Sequence, residues 1–200
     1  MMFNFMLIFI GLFFFQGGPY QPQNGDIIFQ TSLSAQSEAI QRATGSKYSH
    51  MGIVYVLDGE PFVFEAVSRV RSTPLKEWIK RGKGGHYVVK RLNDAEATLT
   101  REVTRSMLEI GRGFEGKHYD LKFQWSDDQM YCSELVWKIF KRALNVEIGH
   151  LETVGDFDLS DSVVRKKVSE RFGKALRIDE PVISPAAMFA SRQLKTVFEQ

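Results

Sequence analysis

A cysteine thiol and a histidine imidazole are the usual nucleophile and base of covalent catalysis near neutral pH. This chain has one cysteine and four histidines. The cysteine stands in "MYCSELVWKIF", residues 130–140. Val136, Ile139, Phe140 and Ala143 follow it at i, i+3, i+4 and i+7, the spacing of a core-facing helical stripe. Cys132 lies one turn earlier on that stripe, at the helix start. There the positive end of the helix dipole lowers thiol pKa values, and free backbone N–H groups can hold a developing oxyanion. Position alone also fits a small buried hydrophobe. What separates a nucleophile from a packing residue is a base within reach.

His86 reads as the start of a strand, His150 as a loop residue and His118, in "GKHYD", as part of a Gly-rich loop. All three read as surface or packing residues. No two histidines have metal-ligand spacing, so neither a metal nor a cofactor is assigned. His50 opens "SHMGIVYVLDGEPFVFEAV", residues 49–67, which reads as two strands around an Asp58-Gly59 turn. A two-residue turn pairs Leu57 with Glu60 and Gly52 with Glu65. His50 and Glu65 then become diagonal neighbours on one face, about 7–8 Å apart at the backbone, with Gly52 leaving room between them. A four-residue turn keeps that shared face; a three-residue turn removes it. Glu65 is the one charge in the apolar run "FVFEAV". It is either buried with a partner or exposed on an edge strand.

Several elements must hold these groups. "GDIIFQ" (25–30) and "HYVVKRL" (86–92) read as strands. Residues 32–45, 73–82 and 95–111 read as helices, the first ending at Gly45 and the third carrying Val103, Met107 and Ile110 on one face. A charged helix is expected near 160–172, and a Pro-started turn at "ISPAAMF", 183–189. Strands come early, helices flank and follow them, and βαβ alternation is absent. The expected class is α+β with a mostly antiparallel sheet.

The 200 residues, 44% hydrophobic and 25% charged, suit one globular domain. A net charge of +2 scattered along the chain gives no footprint for nucleic acid. Before the first charge, Asp26, lies the apolar run "FMLIFIGLFFF", residues 5–15. It is shorter than the about 20 residues of a membrane span and fits a secretory signal. Residues 1–18 are therefore expected to be a signal peptide or N-terminal anchor, and 19–200 a single catalytic domain. The protein is expected to be exported, periplasmic or extracellular, with attachment to a membrane through residues 5–15 as the alternative.

"GDIIF", "YSHMGIVY", "FEAV" and "YCSELVW", in this order, resemble the YiiX/YebB-like branch of the NlpC/P60 superfamily of papain-like cysteine hydrolases. The resemblance covers roughly residues 24–189 and is most specific in "SDDQMYCSELVW". In ordinary papain-like enzymes the Cys precedes the His. Here His50 comes first, as in the circularly permuted group that includes lecithin–retinol acyltransferase-like proteins. The resemblance implies a permuted papain-like fold whose Cys helix packs on the sheet carrying the His. It further implies Cys132 as nucleophile, His50 as base and Glu65 as the polar orienter. Tyr131, with the Cys132 N–H, and Tyr48 would lie near the oxyanion or substrate, with Tyr131 equally suited to packing. A lone thiol in an oxidising compartment also avoids intramolecular disulfide capture. The implied chemistry is acyl transfer through a Cys132 thioester. Cleavage of amide bonds in cell-wall peptides is the first expectation. An acyl or lipid thiol hydrolase or acyltransferase is the second, and a non-catalytic binding module the third.

Overall fold

The computed structural model describes residues 19–173 and 175–200. The expected signal or anchor segment, 1–18, lies outside them. In chain order the elements are β1 (Asp26–Gln30), α1 (Ser37–Thr44), β2 (His50–Leu57), β3 (Glu60–Ala66), β4 (Val70–Pro74), α2 (Leu75–Lys80), β5 (Val88–Leu92), α3 (Ala95–Thr98), α4 (Arg101–Arg112), α5 (Cys132–Leu144), β6 (Glu152–Thr153), α6 (Ser162–Phe172), β7 (Pro181–Val182), α7 (Pro185–Phe189) and β8 (Leu194–Glu199). Six strands form one sheet in the order β4-β3-β2-β1-β5-β8, every pairing antiparallel. This is the expected α+β architecture.

Side-chain alternation divides the sheet into two buried faces. Ile27, Phe29, Met51, Ile53 and Phe64 pack with Leu135, Val136 and Ile139 of α5. On the other face Ile28, Val54 and Val63 pack with Leu75 and Trp78 of α2. Val136, Ile139 and Phe140 are fully buried, each worth about 1.5–3 kcal/mol relative to exposure. Burial of α5 extends all round, from Cys132 to Phe140.

Asp58 and Gly59 both have positive φ, 51° and 83°, as a two-residue primed turn requires. The ladder runs from Leu57↔Glu60 to Ile53↔Phe64, the register read from the turn. The expected long helix over 95–111 is instead two. Leu99 leaves helical geometry, and the Thr100 side chain accepts from the Val103 N–H at 3.3 Å, capping a new start for α4. "ISPAAMF" holds a short helix, α7, capped by Ser184, where a turn is expected. Strands β4 and β8 form the two edges of the sheet and are additions to the expected elements.

Candidate active site

His50 opens β2 and Glu65 lies near the end of β3. They share the face that packs on α2. Their side chains meet, His50 Nε2 to Glu65 Oε2, at 2.6 Å. Gly52 allows it: a Cβ there would stand 2.5 Å from Val63 Cγ1 and 2.7 Å from the Phe64 carbonyl oxygen. Glu65 is fully buried, and β3 is an interior strand, so the exposed-edge alternative is excluded. Its other oxygen, Oε1, accepts from the Thr73 hydroxyl at 2.6 Å and from the Arg81 guanidinium. The His50 ring stacks on Trp78, with centroids 5.9 Å apart and planes at 24°.

With Nε2 committed to Glu65, Nδ1 is the ring nitrogen left for another partner. Cys132 supplies it. Burial alone would lower the imidazole pKa. Hydrogen bonding and charge from Cys132 and from Glu65 outweigh that and raise it to about 9. Burial would likewise raise the Glu65 carboxyl; the hydrogen bond and charge of His50, then Thr73 and Arg81, lower it to about 2. The pair is therefore poised as carboxylate and imidazolium at neutral pH. Cys132, 2% exposed, is the first residue of α5, where the opening N–H groups have no intrahelical partner. The structure thus gathers three of the sequence-selected residues at one end of the sheet.

The two selected tyrosines are placed differently. Tyr131, the residue before α5, is buried; its hydroxyl accepts from the Ile183 N–H at 3.1 Å, and its ring packs on Phe123. Tyr48 packs between Phe29 and Phe189, with ring centroids 6.0 and 4.1 Å away, inside the α5-side core.

Tyr119 went unselected, yet it lines both the space beside Cys132 and the cleft beside His50. Its position follows from the short pairing of residues 118–120 with Met130, two residues before Cys132: Met130 N–H donates to the His118 carbonyl at 3.0 Å, and Asp120 N–H to that of Met130 at 3.1 Å. The phenol oxygen accepts from Gln36 Nε2 at 2.9 Å, and Gln36 Oε1 accepts from Arg171 at 2.6 Å. Burial, then the nearby charge of Cys132, raises the phenol pKa well above its ordinary value, so the hydroxyl remains a donor.

Two spaces meet here. One, about 130 Å³, runs from Cys132 between α1, α6 and the start of α7. Its walls are mostly apolar, with Ile40, Phe123, Phe157, Leu159, Val164 and Ile183 among them. The other, about 780 Å³, is an open cleft beside His50 lined by Gln30, Ser32, Ser49, Lys80, Arg81 and Tyr119 among others. Gln30, paired with His50 across β1 and β2, is fully buried, and its amide makes no hydrogen bond among the described residues.

This arrangement has relatives. The model of the family described as permuted papain-like amidase enzyme, YaeF/YiiX, C92 family, matches residues 21–198. The uncharacterized protein YiiX of Escherichia coli (strain K12) is 46% identical over 181 residues, which are 90% of this chain and 88% of that protein. The crystal structure of metalloprotein yiiX from Escherichia coli O157:H7 matches with a TM-score of 0.86 at 46% identity, covering 90% of this chain and 99% of that one. The chain belongs to the permuted papain-like amidase family and is a cysteine peptidase or amidase by that membership.

Proposed function

We propose that this permuted papain-like amidase cleaves the amide bond of an N-acylated amine through a Cys132 thioester, with an apolar acyl group in the cavity beside the thiol. The observation that carries the substrate reading is that cavity, which is walled mainly by apolar side chains and reaches Cys132 itself. The thiol proton is held on His50, whose Nε2–H is fixed by Glu65. The thiolate attacks the carbonyl carbon, and the new oxyanion is held by N–H groups at the start of α5 and by the Tyr119 hydroxyl. The intermediate collapses as the His50 imidazolium protonates the departing amine. Water, deprotonated by His50, then attacks the thioester, and the acid and the thiol are released. The Tyr131 hydroxyl, which accepts from the Ile183 N–H, keeps its own proton and lines the same cavity.

The Escherichia coli O157:H7 relative is described as a metalloprotein. Among the described residues of this chain no group of three or more His, Cys, Asp or Glu could hold a metal ion. No described helix is long and apolar enough to cross a membrane. Export directed by residues 5–15 remains part of the proposal, checked by fractionation of cells expressing the full chain.

Cleavage of cell-wall peptides is the second reading, and the wide cleft beside His50, with Gln30, Ser32 and Ser49 in its walls, favours it. One experiment separates the two. The full chain and a Cys132→Ala control are incubated with N-decanoyl amides and with peptidoglycan fragments, and products are read by mass spectrometry. Release of decanoate, with a decanoyl adduct on the intact wild-type protein, is the expected result. Cleavage of the wall fragments alone replaces the acyl reading with the peptide one, and cleavage of neither overturns both.

A further inference from the structure

The cleft beside His50 has a charge pattern that the chemistry above leaves unused. Three arginines are partly buried: Arg81, Arg91 and Arg171. Removing a guanidinium from water is costly unless a partner compensates. Arg81 faces the buried Glu65 carboxylate, and Arg91 faces buried Asp26 at 2.6 Å. Arg171 forms no ion pair among the described residues. It donates to the neutral Gln36 amide at 2.6 Å and lies 5.7 Å over the Phe123 ring. Burial is the largest influence on its pKa and lowers it. This partly buried cation borders both the cavity at Cys132 and the cleft at His50.

Among the described residues lining those two spaces there is no Asp or Glu, whereas Lys80, Arg81, His118 and Arg171 all line the cleft. Two of these cations are engaged elsewhere, Arg81 by Glu65 and Lys80 by Glu77 at 2.9 Å. Arg171 also borders a smaller recess that contains Glu180. That carboxylate is held by the Trp125 N–H at 2.8 Å and by Arg177 at 3.2 Å.

We propose that the amine half of the substrate carries an anionic group, a carboxylate or a phosphate, that docks on Arg171 in the cleft beside His50. This rests on the N-acyl amide reading and narrows it. The acyl chain enters the apolar cavity, the scissile carbonyl sits at Cys132, and the departing amine leaves through the cleft with its anion on the guanidinium. A planar guanidinium can grip either anion with two parallel N–H bonds. Gln36, its present partner, holds Tyr119 as well, so anion docking sits one side chain away from the oxyanion donor.

The test compares three amides with one acyl chain: N-decanoylglycine, N-decanoyl-O-phosphoethanolamine and the neutral N-decanoylglycinamide. Wild type should prefer at least one anionic amide over the neutral one by about tenfold or more in kcat/KM, carried by KM. Arg171→Gln should cut that preference about tenfold, and Arg171→Lys should restore part of it. The carboxylate and phosphate substrates report which anion the cleft takes. Equal turnover of neutral and anionic amides by wild type overturns the proposal. So does an Arg171→Gln protein whose preference is unchanged because all three amides slow together through kcat, since that marks Arg171 as a support for Gln36 and Tyr119. Failure to cleave any of the three, while the native thiol still reacts with iodoacetamide, overturns the N-acyl amide reading and this inference with it.

Discussion

The two sides of Cys132 are built in opposite ways. On one side, His50 and Glu65 come from adjacent strands of a single hairpin, 15 residues apart. Their polar atoms are tied down by Thr73, Arg81 and the Trp78 stack. On the other, Tyr119, Gln36 and Arg171 come from a loop, the residue before α1 and the end of α6. Tyr119 and Gln36 are 83 positions apart, and Gln36 and Arg171 are 135 apart. The first side holds its charge in a closed, buried ion pair. The second holds a guanidinium that forms no ion pair among the described residues. A buried pair fixes geometry before substrate arrives, whereas an unpaired cation at the rim of a cleft is free to meet substrate.

The largest effects should come from the hairpin side. His50→Ala removes the base while leaving the thiol, and turnover should fall by about 10⁶, the scale set by deleting the base of an acyl-transfer triad. The readout is single-substrate kinetics, with circular dichroism to confirm folding. A loss below about tenfold would move the base elsewhere in the cleft, with His118 as the alternative.

Glu65 tests how far that side is over-determined. Glu65→Ala leaves His50, Thr73 and Arg81 facing a hole, and breaking a buried pair in this way costs about 3–5 kcal/mol. Denaturant unfolding should show that loss. Glu65→Gln keeps the volume but can present its NH₂ group where the imidazole N–H needs an acceptor. Turnover should fall by about 10²–10⁴, the range for general acid–base contributions. If both variants keep wild-type stability and turnover, the hairpin is a scaffold only.

The assembled side should respond more mildly. Tyr119→Phe keeps the ring and removes the donor. The expected loss is about 10²-fold or less in kcat, the lower end for an oxyanion-hole donor, since backbone N–H groups share the oxyanion. Stability should change by about 1 kcal/mol, because the lost partner is a single amide. The two sides would stop being different in kind if Tyr119→Phe proved as destabilising as Glu65→Ala.

The same contrast governs what could be read from the sequence. The His50–Glu65 face follows from one turn: Asp58-Gly59 fixes the register, and Gly52 opposite a lone charge marks where two side chains must fit. The Cys132 helix follows from a stripe of period 3.6. Tyr119 and Arg171 carry no such local mark. Tyr119 is placed by a short pairing with Met130, and Arg171 by where α6 comes to rest, so neither shows in any window of sequence. Edge strands β4, "VRSTP", and β8, "LKTVFE", were hidden for a related reason. They are short and carry charges or Pro, as edges do, so their apolar alternation is weak. The break at Leu99 was hidden because Val103 and Met107 continue a helical face across it, and only the Thr100 cap decides the start.

The smallest effect is a pH dependence of stability that belongs to the hairpin side alone. The His50 imidazole is raised from its ordinary 6.5 to about 9. A raised group stabilises fully below its unfolded pKa, and that contribution is lost as pH climbs through about 9. The Glu65 carboxyl is lowered from 4.5 to about 2, so its contribution is present above 4.5 and lost as pH falls through about 2. The ion pair therefore contributes most between about pH 4.5 and 6.5, and stability should decline on both sides of that window. Each kcal/mol lost lowers Tm by about 2–4 °C in a chain of this size. Glu65→Gln should erase this pair's share of the acid decline, because no carboxylate remains to protonate, and should move the alkaline decline to lower pH. Cys132→Ala should move the alkaline decline in the same direction, since the thiol site helps to hold the imidazole charged. Tyr119→Phe should leave both limbs in place. Calorimetry of the four proteins from pH 2 to 9.5 measures this directly. An alkaline limb that shifts as far in Tyr119→Phe as in Glu65→Gln would mean the two sides of Cys132 form one electrostatic unit, and the division drawn between them would fail.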